Sequence, residues 1–136
     1  MSTETVRHFV EALERGDLDA ALRCVDERLY FVSAAGADFR DREGFRRWWE
    51  LQLSSGADLK LLRIEALDDN HVFAELLSGH PEREGNTWAA ETLGCVYTVD
   101  EGTIAAIEMF GDVEQAREGA RRAIEVLRLD GLPQRN

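Results

Sequence analysis

The sequence predicts an α+β domain, with helices gathered on one face of a curved antiparallel sheet, on three observations. Apolar residues recur at helical spacing through the first half of the chain, and from residue 58 onward the period becomes that of strands. The change follows Ser54-Ser55-Gly56, a run that ends helices. The last two strand-like runs flank Asp100-Glu101-Gly102, a tight hairpin. The 136 residues make one domain over 1–136, long enough to build a core unaided.

Residues 2–15 read as an amphipathic helix, with Val6, Phe9, Val10 and Leu13 on one face and Ser2 or Thr3 as cap. Gly16 stops it, and Asp17 caps a second helical segment whose apolar side is Leu18, Ala21, Leu22 and Val25. Leu29 to Ser33 suits a strand, released into a loop by Ala34-Ala35-Gly36. Asp41 is a good N-cap for a helix through about Leu53, with Phe45, Trp48, Trp49 and Leu53 facing one way. Four strands follow, at Leu59 to Leu67, Val72 to Gly79, Thr87 to Val99 and Thr103 to Phe110. Asp68-Asp69-Asn70 turns the first pair, and the polar loop Pro81 to Asn86 separates the second from the third. Asp112 with Gln115 opens a final helix over about 113–129, ahead of a frayed tail at 130–136.

Sixteen basic against 27 acidic residues give a net charge of −11, which argues against nucleic acid and against an anionic membrane surface as partners. No apolar run is long enough to span a bilayer, and the charged N-terminus lacks the apolar core of a signal peptide. A cytoplasmic protein is expected. Cys24 and Cys95 lie far apart without CxxC spacing, so both read as reduced thiols. Three scattered histidines without HxH or HxxxH spacing predict no metal site, and no cofactor-binding motif is present.

Four features together resemble the nuclear-transport-factor-2-like superfamily, in its SnoaL-like and ketosteroid-isomerase-like branch. They are FVEALERGDLDAAL, the DREGFRRWWE helix, the VDEGTIAAIEMFGD hairpin strand, and their spacing. The resemblance implies a cone-shaped, cystatin-like roll, in which a bent sheet wraps the first helix and a pocket opens at the wide end. It also implies a small hydrophobic ligand of polyketide, terpenoid or steroid type, and a homodimer through the sheet's outer face. Ketosteroid isomerases carry a Tyr, an Asp base and a protonated acid at places that match Phe9, Ser33 and Cys95. None of the three residues can do the corresponding task, so that mechanism is not expected. Limonene-epoxide-hydrolase-like and SnoaL-like members carry an acid where this chain has Met109, and a thioether activates no water.

Strand alternation supplies the remaining expectations. If Asp100 to Gly102 is the hairpin loop, Val99 pairs with Thr103, and Glu91, Leu93, Cys95, Tyr97, Ala105, Ile107 and Met109 share the inward face. A loop one residue longer would turn Glu91 outward. Inward, Glu91 would be a general acid or base among apolar neighbours; the competing reading leaves it in water at the strand's open end. Glu75 and His80 are further acid-base candidates, Glu75 with the same ambiguity and His80 near the pocket rim. Phe9, Phe31, Ser33, Cys95, Tyr97, Ile107 and Met109 are expected to line the ligand pocket. Trp48 and Trp49 divide between packing and ligand stacking, and Trp88 falls on the outer face. Glu108 is placed outside as well, and His8 and His71 read as surface. The function expected is an isomerase, cyclase or dehydratase using a pocket carboxylate; the alternative is a non-catalytic ligand-binding or dimerisation module.

Overall fold

Two glycines set the layout of the N-terminal half. Helix α1 (Ser2–Glu14) ends at Gly16, whose φ of 75° suits a residue without Cβ. Gly16 N–H donates to the Leu13 carbonyl at 3.1 Å and Asp17 N–H to the Ala12 carbonyl at 2.9 Å, the paired bonds of a Schellman stop. The Asp17 carboxylate then accepts from the Ala20 N–H at 3.1 Å and caps α2 (Leu18–Leu22). The same device closes α3 (Arg42–Ser54): Gly56 N–H donates to Leu53 at 3.0 Å and Ala57 N–H to Gln52 at 2.9 Å. Asp41 opens α3 by accepting from the Gly44 N–H at 2.7 Å.

The computed structural model describes residues 2–34, 36–81, 88–111, 114–119 and 121, apart from the side chains at 80, 81 and 88–90. Within them, β1 (Val25–Val32), β2 (Asp38–Phe39), β3 (Asp58–Ala66), β4 (His71–Pro81), β5 (Trp88–Asp100) and β6 (Thr103–Phe110) form one curved sheet. Its order is β2-β1-β6-β5-β4-β3. The sheet is mixed and not wholly antiparallel, because β1 pairs with β6 in parallel. After β2 and α3 the chain crosses to the far edge, and the meander from β3 returns β6 beside β1, running the same way. The expected first strand begins earlier than Leu29, and β2, too short to carry a pattern, folds back on it with Phe31 opposite Phe39.

The β5–β6 hairpin corrects the expected pairing. Asp100 pairs with Thr103 and Val99 with Ile104, so the loop is only Glu101-Gly102. Both loop residues have positive φ, 50° and 82°, as a type I′ turn requires. An irregularity between Thr98 and Val99 then shifts the ladder, so that Tyr97 stands opposite Ile107 and Cys95 opposite Met109. Ile104 is fully buried in the core where Thr103 and Ala105 are expected to face in; those two are half-buried.

The concave face packs on the helices. Val6, Phe9, Val10 and Leu13 of α1 meet Val72, Ala74 and Leu76 of β4, Cys95, Tyr97 and Val99 of β5, and Ile104 and Ile107 of β6 in a single core. Aromatic contacts run through it: Phe9 to Tyr97 at 6.0 Å, Phe9 to Phe45 at 5.8 Å, Phe45 to Phe31 at 4.9 Å and Phe31 to Trp48 at 4.9 Å between ring centroids.

The expectation of helices on one face alone is also corrected. Residues 114–119 are helical, Ala116 is fully buried, and the Arg117 guanidinium lies 4.7 Å from the centre of the Phe73 ring. Arg117 also bonds Glu65 at 3.0 Å. Phe73 and its ladder partner Val96 are buried although their strand neighbours Val72, Ala74, Cys95 and Tyr97 face the opposite way, so this helical turn covers part of the convex face. Asp112 and the expected helix beyond 121 lie outside the described residues.

His71 departs from its expected surface position. It is 7% exposed, with Nδ1 2.9 Å from Asp68 Oδ1, and Asp68 also accepts the Asn70 and His71 backbone N–H at 2.8 Å each. The Asp-Asp-Asn turn thus acts as a side-chain-capped corner that holds the ring against the core.

Candidate functional site

The wide end of the cone carries two adjoining spaces. The inner one lies between α1, α3 and the concave face, lined by Phe9, Leu13, Phe31, Phe45, Trp48, Trp49, Leu59, Leu76, Cys95, Tyr97, Ile107 and Met109. Its volume is about 20 Å³, room for about one water molecule. The outer one is a cleft of about 560 Å³, within the range of small-molecule sites. Ser33, Ala34, Gly36 and Ala37 of the β1–β2 turn, Trp48, Trp49 and Gln52 of α3, Leu59, Ser78, Glu91, Leu93 and Met109 form its walls, with Ala57. Trp48, Trp49, Leu59 and Met109 border both spaces, so they are the partition between mouth and interior.

Eight of the nine residues expected to bind ligand line the inner space, and Ser33 lines the cleft. The four positions singled out by family resemblance therefore converge: Phe9, Cys95 and Met109 on the interior, Ser33 and again Met109 on the cleft. Ser33 is 5% exposed, and its hydroxyl oxygen accepts from the Ala37 N–H at 2.9 Å, closing the turn that forms one wall.

Glu91 takes the inward register. Ser78 stands opposite it, as Leu76 stands opposite Leu93 and Ala74 opposite Cys95, and Glu91 lines the cleft with Leu93 and Met109. Its side chain is exposed, so it occupies the strand's open end and not the apolar interior. Glu91 is the one carboxylate among the described residues that line the cleft. Glu75 is half-buried beyond the pocket, on the convex side: it follows Ala74 and precedes Leu76, both of the concave core, and stands opposite Gly94. His80 belongs to β4 and not to a loop, opposite Ala89, and Trp88 opens β5 opposite Pro81. The side chains of His80 and Trp88 lie outside the described residues. Glu108 is exposed, opposite Val96 on the convex face.

The interior offers little chemistry of its own. Burial pushes the Cys95 thiol up to about 12, only partly offset by hydrogen bonding with Tyr97. Burial, and then the neighbouring thiol, hold the Tyr97 phenol well above its usual range, so it is a neutral hydrogen-bonding group. Among the described residues no three His, Cys, Asp or Glu side chains gather closely enough to hold a metal ion. Trp49 Nε1 is buried without a hydrogen-bond partner among the described residues. Sequence spacing places Trp49 on the inner face but carries no signal for an unpaired N–H, which is a property of the packed neighbours.

A helix-filled cone with its opening between α3 and the strand ends defines the nuclear-transport-factor-2-like class. Within that class the chain belongs to the SnoaL-like domain family, whose profile matches residues 6–107. Solved structures agree on the fold. A candidate polyketide cyclase of Xanthomonas campestris pv. campestris superposes with a TM-score of 0.73 at 20% identity, covering 84% of this chain and 92% of that one. An LEH-like epoxide hydrolase of M. tuberculosis gives 0.69 at 21% identity over 95% of this chain and 96% of that one. A protein of Catenulispora acidiphila with a ketosteroid isomerase-like fold, solved in complex with trimethylamine, gives 0.70 at 16% identity over 81% of this chain and 86% of that one. No curated protein matches the chain. Among the described residues, no helix is long and apolar enough to cross a membrane.

Proposed function

We propose that this chain binds a small, largely apolar molecule of polyketide, terpenoid or steroid type in the cone's mouth. One observation carries the reading: the cleft joins an apolar wall of Trp48, Trp49, Leu59, Leu93 and Met109 to a few polar groups, Ser33, Gln52, Ser78 and Glu91. That combination holds a ligand by burial and orients it by its polar end. The inner space is too small for such a ligand as it stands, so deeper entry needs Met109 or Trp48 to change rotamer. A thermal-shift screen with multi-ring apolar compounds tests the proposal. Saturable stabilisation is expected; a flat response across the series overturns it.

A second reading, proton transfer, is favoured by the inward register of Glu91. In that reading the chain is an isomerase, cyclase or dehydratase in which Glu91 takes a proton from the bound molecule and returns it elsewhere. Mass spectrometry of the incubated ligand separates the two: conversion supports catalysis, and stabilisation with unchanged ligand mass and retention time supports binding alone. Glu75, on the convex side, has no supporting geometry in the cleft, and the His80 side chain lies outside the described residues.

The reading includes a cytoplasmic homodimer paired through the convex face, on the strength of the family resemblance. The helical turn over Phe73 and Val96 leaves only the rest of that face for a partner. Light scattering behind a sizing column decides it, with twice the chain's 15.4 kDa expected.

A further inference from the structure

The charged features at the cleft are of one sign. Glu91 lines it with an exposed side chain, and among the described residues that line it there is no Lys, Arg or His. No ion pair between described residues involves Glu91. The C-terminal end of α3 forms part of the same wall through Gln52, and a helix C-terminus carries partial negative charge. Its last turn holds no basic residue, and the carbonyls of Leu51, Gln52 and Leu53 accept from neutral donors, the N–H groups of Ser55, Gly56 and Ala57. Asp58, exposed between the lining residues Ala57 and Leu59, adds a carboxylate beside the wall. Arg47 and Lys60, the basic residues next to the wall in sequence, are exposed and line none of it, and Arg47 is held by Glu43 at 3.5 Å. The remaining polar side chains of the wall, Ser33, Gln52 and Ser78, are neutral and can donate as well as accept, so they favour neither sign of charge.

We infer that the cleft selects apolar molecules that carry a protonated amine over carboxylates of the same shape, with Glu91 setting the preference. The inference rests on the proposed apolar-ligand site and names the charge of the ligand's polar end. Its physical basis is the swing between attraction and repulsion. The apolar body of either ligand is buried alike against Trp48, Trp49, Leu93 and Met109, so that contribution cancels in the comparison. Glu91 and the end of α3 then attract the ammonium and repel the carboxylate. Because Glu91 is exposed, each effect is small and screened by salt, and the preference is their sum. The chain's net charge of −11 adds a field of the same sign.

The test uses three bicyclic compounds substituted at the same carbon: aminotetralin, tetralol and tetralin carboxylate, which are cationic, neutral and anionic at pH 7. Affinities are measured with the full chain at low and high salt. Displacement of the amine by tetralol shows that the two share one site, apart from the rest of the acidic surface. Aminotetralin is expected to bind about tenfold more tightly than the carboxylate at low salt, with tetralol between them. The ratio should fall to about threefold in about 0.5 M salt. Glu91→Gln should lower the amine's affinity by about threefold and leave that of tetralol in place, and Glu91→Lys should invert the order of amine and carboxylate. Both variants alter an exposed side chain, so the fold should tolerate them. A carboxylate that binds as tightly as the amine, an amine that tetralol does not displace, or a ratio unmoved by Glu91→Lys overturns the inference, while binding of tetralol keeps the apolar site standing. If none of the three compounds binds, the inference and the apolar site both fall for this ligand class.

Discussion

Ser78 and Glu91 stand directly opposite each other in the β4–β5 ladder, and both open onto the cleft. Their pairing fixes Glu91 on the cleft side of the sheet, while its exposure keeps it out of the core. Replacing it therefore tests chemistry without disturbing packing. Glu91→Gln is expected to change stability by less than about 0.5 kcal/mol in urea titration. Ligand affinity should stay within about threefold, and any conversion should fall by at least about a hundredfold. Undiminished conversion would remove Glu91 from the mechanism.

The two thiols should differ in reactivity. The thiolate is the attacking species, and burial pushes Cys95 up to about 12, so almost none is ionised at pH 8. Cys24 is half-buried and raised as well, chiefly by burial, with Arg23 pulling the other way. A native-state titration with a chromogenic disulfide should show Cys24 reacting more slowly than a free thiol and Cys95 more slowly still. In denaturant both should react at once. Fast labelling of Cys95 in the folded chain would contradict its burial.

Asp68 gives the fold an acid dependence with a definite sign. Burial opposes its ionisation, but hydrogen bonds from the Asn70 N–H and from His71 outweigh it, so the carboxyl sits below its ordinary 3.8. The stabilisation is complete above that ordinary value and is lost as pH falls through the lower, folded one. Asp68→Asn should cost about 1 kcal/mol at pH 7. In urea melts the gap from wild type should hold constant down to about pH 5 and narrow below about pH 4. A gap that widens on acidification would show that the corner is held by something else.

The helices are legible in the sequence because their signals are local. Asp17 and Asp41 cap where a side chain three residues from a free N–H must, and Gly16 and Gly56 stop α1 and α3 because only a residue without Cβ turns there cheaply. The inward faces of β5 and β6 beyond the hairpin are legible from alternation, which is why Cys95, Tyr97, Ile107 and Met109 meet as expected. Other features depend on partners far along the chain. The parallel pairing of β1 with β6 follows from where the meander returns, and β2 exists only because β1 lies beside it. The burial of His71 needs the Asp68 corner, and the cover over Phe73 needs a helix more than forty positions later. The size of the inner space is likewise a result of packing twelve side chains, which no spacing rule reports.

The hairpin carries a local signal that is ambiguous by one residue, and it yields a direct test. Asp100-Glu101-Gly102 reads as a three-residue loop, but the turn takes only Glu101 and Gly102 and places the extra residue in the irregularity near Val99. That choice puts Glu101 at φ 50°, a conformation that costs a side-chain-bearing residue and is tolerated best by Asn, Asp or Gly. Because Glu101 is exposed, its replacement alters little besides that backbone preference. Glu101→Asn should therefore stabilise the chain, by about 0.5 kcal/mol, as an Asn-Gly type I′ turn. Gly102→Ala, at φ 82°, should destabilise it by about 1 kcal/mol, although an added Cβ would meet no atom within 4 Å. The cost is thus conformational and not steric crowding. If urea melts show Glu101→Asn neutral or destabilising while Gly102→Ala still costs about 1 kcal/mol, the loop is the three-residue form after all. That loop also holds Gly102 at positive φ but leaves Glu101 at negative φ. The Val99–Thr103 pairing would then return, with Ile104 turned out of the core.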